Sequence, residues 1–225
     1  GDACGLDWLA VDKTEFDCSD VGVNTVNLTV ADVNGNTAVC SAEVAVKDNT
    51  PPVISCNPID VYLRSNGEYV LSQRDIRKMA EGTTDACTSF EAMDLYAFPR
   101  SFECIHVGQD VSVTLFATDE YGNRASCQTV VTVLDTIAPK AICEDITLTL
   151  DEDGEAFIFP GDINAGRSDG SRPEWARTYS NLNEGSYDAC GIETVSLDKQ
   201  QFSCSDVGPN TVTLTVTDPS GNFSS

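Results

Sequence analysis

One alternating run of residues occurs three times along this chain, and each copy ends in the same turn sequence. The copies are "NTVNLTVADVNGN" at Asn24–Asn36, "VSVTLFATDEYGN" at Val111–Asn123 and "NTVTLTVTDPSGN" at Asn210–Asn222. Apolar and polar residues alternate with a period of two, which predicts a half-buried β-strand. The closing Asp-x-x-Gly-Asn predicts a hairpin turn, because glycine and asparagine tolerate positive φ. A strand copied together with its turn indicates a chain built from repeated β modules.

Other markers recur in a fixed order around each run. A "DAC" triplet precedes it, beginning at Asp2, Asp85 and Asp188, and a second cysteine follows at Cys18, Cys104 and Cys204. Proline-containing linkers, "KDNTPPVISC" and "LDTIAPKAIC", follow the first two copies. We place the module boundaries at these linkers. This predicts the C-terminal part of a module at residues 1–48, a complete module at 49–134 and a module lacking its last strand at 135–225.

The complete module contains about seven short strands, which is the pattern of an immunoglobulin-like sandwich. The expected fold is therefore all-β, with tandem immunoglobulin-like β-sandwich modules arranged as a rod. Val61–Leu71 is predicted to form a hairpin around its "SNGE" turn. Ser72–Gly82 is predicted to form a helix capped by Ser72 that is local to this module.

The composition excludes several functional classes. Acidic residues outnumber basic ones by 36 to 13, for a net charge of −23, so nucleic acid and anionic lipid are not expected partners. The chain has no apolar run of about 20 residues, so membrane insertion is not expected. It has no signal peptide and opens in "GDACGLDW", so we expect it to be part of a longer protein. A single histidine, His106, cannot supply a repeated catalytic set, so we expect no enzyme.

Acidic residues at three recurring places suggest cation binding. In an immunoglobulin-like module, the "DAC" loop, the Asp-x-x-Gly-Asn turn and the preceding linker acid share the N-terminal pole. Several acids packed together repel one another unless a cation joins them, and calcium prefers six to eight oxygen ligands. The alternative is that Asp-x-x-Gly-Asn is only a hairpin turn. The predicted calcium ligands are Asp2, Asp32, Asn36, Asp48, Asp85, Asp119, Asn123, Asp135, Asp188, Asp218 and Asn222.

Ten cysteines without a C-x-x-C pair predict disulfides and an oxidising, extracellular setting. Cys56 begins the first strand and Cys127 the last, and both should lie near one pole, so we pair them. The remaining predicted bridges lie within modules: Cys4–Cys18, Cys87–Cys104 and Cys190–Cys204. This scheme leaves Cys40 and Cys143 with partners outside the chain. A rival scheme pairs Cys40–Cys56 and Cys127–Cys143, but each linker would then have to fold back as a hairpin.

Two stretches, "DACGLDWLAVDKTEFDCSDVGVNTVNLTVADVNGN" and "DACGIETVSLDKQQFSCSDVGPNTVTLTVTDPSGN", resemble the HYR-like, immunoglobulin-like repeats of very large bacterial surface proteins. The closest such family is that of the SprB-type gliding-motility adhesins of the Bacteroidetes. The resemblance covers the whole chain, although the middle module has "CIHVG" where the other two have "CSDVG". It implies an extracellular tandem-repeat adhesin exported by the type IX system.

The sequence therefore predicts a stalk or adhesive segment of a bacterial cell-surface adhesin, serving gliding motility or surface attachment. The expected partners are a surface polysaccharide or solid substratum and the neighbouring repeats. The alternative function is a carbohydrate-binding or accessory module of a secreted hydrolase. A polar insertion in the third module is either a ligand loop or surface variation; it carries Arg167, Arg172, Trp175, Arg177 and Tyr179.

Overall fold

The computed structural model of the chain describes residues 5–164 and 185–225, so the insertion in the third module lies outside the described residues. The described chain is all-β with two short helices, which confirms the predicted fold class. None of the helices in these ranges is long and apolar enough to span a membrane. The chain divides into two compact units. Their limits run through the middle module, and the module boundaries at the linkers stay a prediction.

The first unit comprises Gly1–Asn57, Gln73–Phe98 and Thr114–Thr129. Its first sheet has the order β1-β2-β3, with both pairings antiparallel. The three strands are β1 (Leu6–Val11), β2 (Gly22–Asp32) and β3 (Thr37–Val46). The predicted strand at Asn24–Asn36 is thus β2 together with the turn after it.

The middle module continues with eight further elements. They are β4 (Ile59–Tyr62), β5 (Glu68–Val70), α1 (Gln73–Met79), β6 (Asp94–Phe98), β7 (Ser101–Glu103), β8 (Asp110–Thr118) and β9 (Arg124–Leu134), with a 3-10 turn at Cys104–His106 between β7 and β8. One sheet has the order β4-β9-β8-β6, and β5 and β7 form a separate pair. The first strand, β4, runs parallel to the last, β9, as the sandwich topology predicts.

The predicted hairpin at Val61–Leu71 forms only its turn. The Arg64 amide donates to the Glu68 carbonyl at 3.1 Å, but the strands on either side then join different sheets. β4 pairs with β9 while β5 pairs with β7.

Alternation places the core where the sequence predicts it. In β8, Val113, Leu115 and Ala117 are completely buried, whereas Phe116 between them is exposed. Val131 and Val133 of β9 are also completely buried. Each fully buried aliphatic side chain of this kind contributes about 1.5–3 kcal/mol of hydrophobic stabilisation.

The second unit comprises Pro58–Ser72, Pro99–Val113 and Val130–Ser225, and it contains the third module. In this module β10 (Glu155–Phe157) pairs with β12 (Gln201–Ser203). A second sheet has the order β11-β13-β14, formed by β11 (Thr194–Leu197), β13 (Leu214–Thr217) and β14 (Phe223–Ser224). Its buried core consists of Ile158, Ile163, Val195, Phe202, Leu214 and Val216.

The third module also has a helical turn, α2 (Pro160–Ile163), directly after β10. It occupies the place that α1 takes after β5, and each helix buries one isoleucine, Ile76 in α1 and Ile163 in α2. The prediction that the helix is local to the middle module is therefore wrong. The shared Asp-Ile pair at Asp75–Ile76 and Asp162–Ile163 is the signal in the sequence.

The disulfides differ from most of the predicted pairs. The structure joins Cys56 to Cys127, as predicted, and joins Cys18 to Cys87 and Cys104 to Cys190. The predicted Cys4–Cys18, Cys87–Cys104 and Cys190–Cys204 bridges are therefore wrong. Cys40, Cys143 and Cys204 are free and exposed, so the rival pairs Cys40–Cys56 and Cys127–Cys143 are wrong as well. Cys4 lies outside the described residues.

The strand order explains why the within-module pairs do not form. Thr194, four residues after Cys190, pairs with Thr217 at the end of β13, whereas Cys204 lies before that strand begins. Cys87 and Cys104 stand in the same relation to β8, which has nine residues. At about 3.3 Å per residue, such a strand far exceeds the Cα separation of about 7 Å that a disulfide permits. The second cysteine of one module instead meets the "DAC" cysteine of the next, with Cα–Cα distances of 5.0 and 5.1 Å.

Candidate metal centres

Three carboxylates from separate parts of the first unit converge on one place. Asp48 follows β3 in the linker, Asp85 belongs to the "DAC" loop before β6, and Asp119 begins the turn after β8. One carboxylate oxygen of each lies within 4.8 Å of the others. The structure thus brings together the linker acid, the loop acid and the turn acid that the sequence assigned to one pole.

Local backbone amides hold two of these carboxylates by one oxygen each. Asp48 Oδ1 accepts from the Thr50 amide at 2.9 Å, and Asp85 Oδ1 accepts from the Cys87 and Thr88 amides at 2.8 Å. The Oδ2 atoms of Asp48 and Asp85 are buried and have no hydrogen-bond partner. Buried carboxylate oxygens are rarely left unpaired, so these two atoms mark the cluster as a candidate cation site.

The turn acid is held from both sides by Asn123. Asp119 Oδ1 accepts from the Tyr121 and Asn123 amides, and Asp119 Oδ2 accepts from the Asn123 side-chain amide at 2.7 Å. That same side-chain nitrogen also donates to the Asp48 carbonyl at 3.2 Å. Asn123 therefore positions the acids as a hydrogen-bond donor through Nδ2, and its role as an oxygen ligand stays a prediction.

The hydrogen bonds of this turn also lower the pKa of the Asp119 carboxyl. Burial by itself raises the pKa of Asp119, but donation from the Asn123 side chain and from the turn backbone outweighs it. The net result is a pKa below the ordinary value, so Asp119 stays ionised down to low pH.

A second cluster repeats this arrangement in the second unit. Asp135 in the linker and Asp188 in the "DAC" loop have carboxylate oxygens within 4.8 Å of each other and of Cys190 Sγ. Cys190 is in a disulfide with Cys104, so its sulfur is not a thiolate ligand. Asp135 Oδ1 accepts from the Ile137 amide, and Asp135 Oδ2 is buried without a partner, as in Asp48.

The turn acid of the third module is Asp218, which is completely buried and whose charge acts on Asp188. Asn222 donates to Asp218 Oδ2 at 2.8 Å and to the Asp135 carbonyl at 3.2 Å, so it repeats the role of Asn123. Burial raises the pKa of Asp188, the Cys190 amide opposes this by hydrogen bonding, and the charges of Asp135 and Asp218 raise it further. The pKa of Asp188 therefore lies above its ordinary value, mainly because of burial and in smaller part because of the two neighbouring carboxylates.

The first Asp-x-x-Gly-Asn turn, at residues 32–36, belongs to no acid cluster among the described residues. Asp32 accepts from Asn36 in the same way, through a 2.8 Å bond from the side chain and a 2.8 Å bond from the backbone. Asp2, its predicted partner, lies outside the described residues. Asp32 and Asn36 therefore provide an internal comparison for what the turn does alone.

Thr88 is one site residue that the sequence analysis missed. Its hydroxyl is buried and accepts from the Glu120 amide at 3.2 Å, which fastens the "DAC" loop to the Asp119 turn. No repeat signal could reveal it, because the third module has Gly191 at this position.

Asp20 and Asp206, which correspond to His106 of the middle module, have a structural role in the first and third modules. Asp20 accepts from the Asp17 amide, and Asp206 accepts from the Ser203 amide, each closing the 3-10 turn that begins at the second cysteine. His106 closes the corresponding turn by accepting from the Glu103 amide through Nδ1. The three residues therefore share a capping role, away from the acid clusters.

No protein-family model and no curated protein matches the chain. Among solved structures, the human desmocollin-1 ectodomain is similar over 90% of this chain and 42% of its own, with 10% identity and a TM-score of 0.28. The protocadherin gamma B7 cadherin domains 1–4 are similar over 97% of this chain and 65% of theirs, with 12% identity and a TM-score of 0.28. The chain thus spans less than two thirds of either structure.

Proposed function

We propose that the chain is a calcium-stabilised repeat segment of an extracellular cell-surface adhesin, serving as a stalk or adhesive region in gliding motility or surface attachment. One observation supports it most: a linker acid, a loop acid and a turn acid converge at the start of a module with buried, unpaired oxygens. Disulfides support the extracellular setting, because they persist in oxidising compartments.

The electrostatics of the first cluster favour a divalent cation. Two unit charges about 4 Å apart repel by about 4 kcal/mol at the effective dielectric typical of protein surfaces. Asp48, Asp85 and Asp119 form three such pairs. A dication at their centre would replace these repulsions with attractions and would supply the missing partners of both unpaired oxygens.

The donor set selects calcium among the biological dications. Carboxylate and carbonyl oxygens suit calcium, whereas zinc prefers histidine and thiolate ligands. The acids of the cluster come from a linker, a loop and a turn, and calcium tolerates irregular geometry better than magnesium does. The residues that would hold calcium are Asp48, Asp85 and Asp119 in one site and Asp135, Asp188 and Asp218 in the other.

The position of each cluster suggests what the ion does. Asp48 and Asp135 belong to linkers, whereas the other acids belong to the module that follows. A bound ion would therefore fasten each linker to two loops of its module. Such a joint suits an adhesin, which transmits force along its repeats to a surface.

Calorimetric titration of the oxidised chain with calcium tests the site. We expect binding in the micromolar to millimolar range, with magnesium much weaker, and one site fewer in the Asp85→Asn variant than in the parent chain. A titration without calcium heat, together with a melting temperature insensitive to chelator, would contradict the proposal. For the cell-surface assignment, a membrane-impermeant biotin reagent should label the protein on intact producing cells, and an unlabelled protein would contradict it.

A specific feature favours carbohydrate binding as a second candidate function. Three aromatic side chains lie on the outer face of the sheet in the first unit: Phe98 is 64% exposed, Tyr96 46% and Phe116 39%. Tyr96 and Phe116 are cross-strand partners with ring centroids 6.2 Å apart. Exposed apolar groups of this size often mark an interaction surface, and flat rings can stack on the apolar faces of sugars.

The repeat shows that the architecture does not require these rings. The corresponding residues are Ser196, Asp198 and Thr215 in the third module and Ala10, Asp12 and Thr29 in the first. We therefore expect glycan-array binding by the parent chain and its loss in a variant carrying Tyr96→Ser, Phe98→Asp and Phe116→Thr. An array that is blank for both chains would contradict this second candidate and leave the calcium proposal unaffected.

A further inference from the structure

The disulfides that cross between modules define an unusual covalent path along the chain. Cys18 and Cys87 are 69 residues apart in sequence, and Cys104 and Cys190 are 86 apart. Each bridge brings its two cysteines together, with Cα–Cα distances of 5.0 and 5.1 Å. The backbone segment from Cys87 to Cys104 connects the two bridges.

We infer that the Cys18–Cys87 and Cys104–Cys190 disulfides, with the backbone between Cys87 and Cys104, carry tension past both module linkers. We call this path the disulfide relay. A pulling force along it does not stretch the linkers. This inference rests on the proposed adhesin function, in which the chain bears load. The shortest covalent route enters at Cys18, crosses to Cys87, follows the backbone through β6 and β7 to Cys104, and crosses to Cys190. The linkers at Asp48 and Asp135 lie inside the two bypassed segments.

Five of the six proposed calcium ligands lie inside the bypassed segments, whereas Asp218 lies beyond Cys190. Asp48 and Asp119 are inside bypassed segments, and Asp85 and Asp188 each lie two residues before a bridged cysteine. The amides of Cys87 and Cys190 donate directly to Asp85 and Asp188, at 2.8 and 2.7 Å. Force that would pull a linker away from its acid cluster is thus taken up by sulfur–sulfur bonds.

The third bridge makes the connection redundant. Cys56 belongs to the first bypassed segment and Cys127 to the second, so their disulfide overlaps both of the others in sequence. As a result, at least one disulfide spans every backbone bond between Cys18 and Cys190. A single proteolytic cut anywhere in that range leaves the two chain ends covalently joined.

This arrangement follows from pairing between modules. Bridges from Cys87 to Cys104 and from Cys190 to Cys204 would leave the second linker unspanned, and tension would then extend it. Only the observed connectivity spans both linkers. Pairing within modules would use the same recurring cysteines and leave the second linker unspanned.

Single-molecule stretching of the full chain, held by handles at its two ends, tests the inference. The two bypassed segments contain 69 and 86 residues, which extend to roughly 500 Å at about 3.3 Å per residue. Reduction of all disulfides should therefore increase the contour length of the stretched chain by about that amount. Contour length does not depend on whether the reduced chain refolds, so loss of folding cannot obscure the result.

The Cys56→Ser/Cys127→Ser variant is the matched control. It removes one disulfide that is not on the shortest path, so its oxidised contour length should equal that of the parent chain. An oxidised chain already as long as the reduced one would overturn the inference, and so would a control variant lengthened by hundreds of ångströms. Calcium titration of the same chains reports separately on the proposed function, so its failure would be recognised independently.

Discussion

The side-chain amide of Asn123 donates to the backbone carbonyl of Asp48, 75 residues earlier in the chain, at 3.2 Å. Asn222 makes the same bond to Asp135 across 87 residues. Each asparagine also holds the carboxylate of its own turn. One side chain therefore fixes both the turn and the linker, and the final asparagine of Asp-x-x-Gly-Asn has a role beyond the turn itself.

Replacing Asn123 should weaken the joint more than replacing its unclustered counterpart. Asn123→Ala removes the bonds to Asp119 and to the Asp48 carbonyl, whereas Asn36→Ala removes the described bond to Asp32 alone. We expect Asn123→Ala to lower the free energy of unfolding by about 1–3 kcal/mol and to weaken calcium binding. Chemical denaturation and calcium titration of both variants measure this, and equal effects from both would contradict the linking role.

Neutralising the linker acid should change stability in opposite directions with and without calcium. Asp48→Asn relieves repulsion from Asp85 and Asp119, so in chelator the melting temperature should rise. In calcium the same change removes a proposed ligand, so the stabilisation by the ion should shrink. That stabilisation is about 2.7 kcal/mol at a calcium concentration 100 times the Kd.

Thermal melts of the two chains in calcium and in chelator make this comparison. Asp32→Asn serves as the control, because its turn has no described cluster. A fall in melting temperature for Asp48→Asn under both conditions would show that Asp48 acts only through its hydrogen bonds.

The raised pKa of Asp188 predicts a pH dependence in the absence of calcium. Because the folded chain holds this proton more tightly than the unfolded chain, stability should fall as pH rises from the ordinary value of 3.8 through the raised pKa. Asp188→Asn should remove that decline, and calcium should suppress it. Denaturation in chelator across a pH series tests the difference between the chains.

Asp119 should show the opposite sign. Its pKa is lowered in the folded chain, so its contribution to stability is present above 3.8 and is lost as pH falls through the folded value. Asp119→Asn should therefore reduce the acid sensitivity of unfolding. An identical pH profile for Asp119→Asn and Asp188→Asn would contradict the opposite directions of the two pKa shifts.

Gly67 should tolerate no side chain, because it supports the Cys104–Cys190 bridge. Its φ is +75°, and an added Cβ would lie 2.8 Å from Cys104 Sγ and 3.3 Å from the Ala189 Cβ. Gly122 has a similar φ of +90° but open space around it. Both alanine variants should lose about 1 kcal/mol from backbone strain, and only Gly67→Ala should also impair formation of the bridge.

Bridge formation can be followed by the mobility of the oxidised chain on a gel during refolding. Equal rates for Gly67→Ala and Gly122→Ala would contradict the contact between Gly67 and the disulfide.

The free cysteines give a further test of connectivity. Alkylation of the denatured, unreduced chain should label Cys40, Cys143 and Cys204, which are free and exposed. Peptide mapping should recover Cys18 joined to Cys87 and Cys104 joined to Cys190. Recovery of Cys190 joined to Cys204 would contradict the pairing between modules.

The sequence alone determined the alternating strand β8, the Asp-x-x-Gly-Asn turns and the grouping of Asp48, Asp85 and Asp119. Alternation and repetition are local properties, so the buried face of β8 could be predicted residue by residue. The parallel course of β4 and β9 followed from topology, and with it came the Cys56–Cys127 bridge and the meeting of Asp48, Asp85 and Asp119 at one pole. These predictions needed only the direction in which each strand runs.

Only the tertiary structure decided the remaining disulfides and the role of the asparagines. Cys87 and Cys104 are close in sequence, which favours loop closure, but the span of β8 separates the places where they lie. Cys104 could be assigned to Cys190 only once the end of one module had been positioned against the loop of the next. Likewise, the bond from Asn123 to Asp48 depends on the path of the linker, which is set by long-range packing and is not encoded in any local pattern.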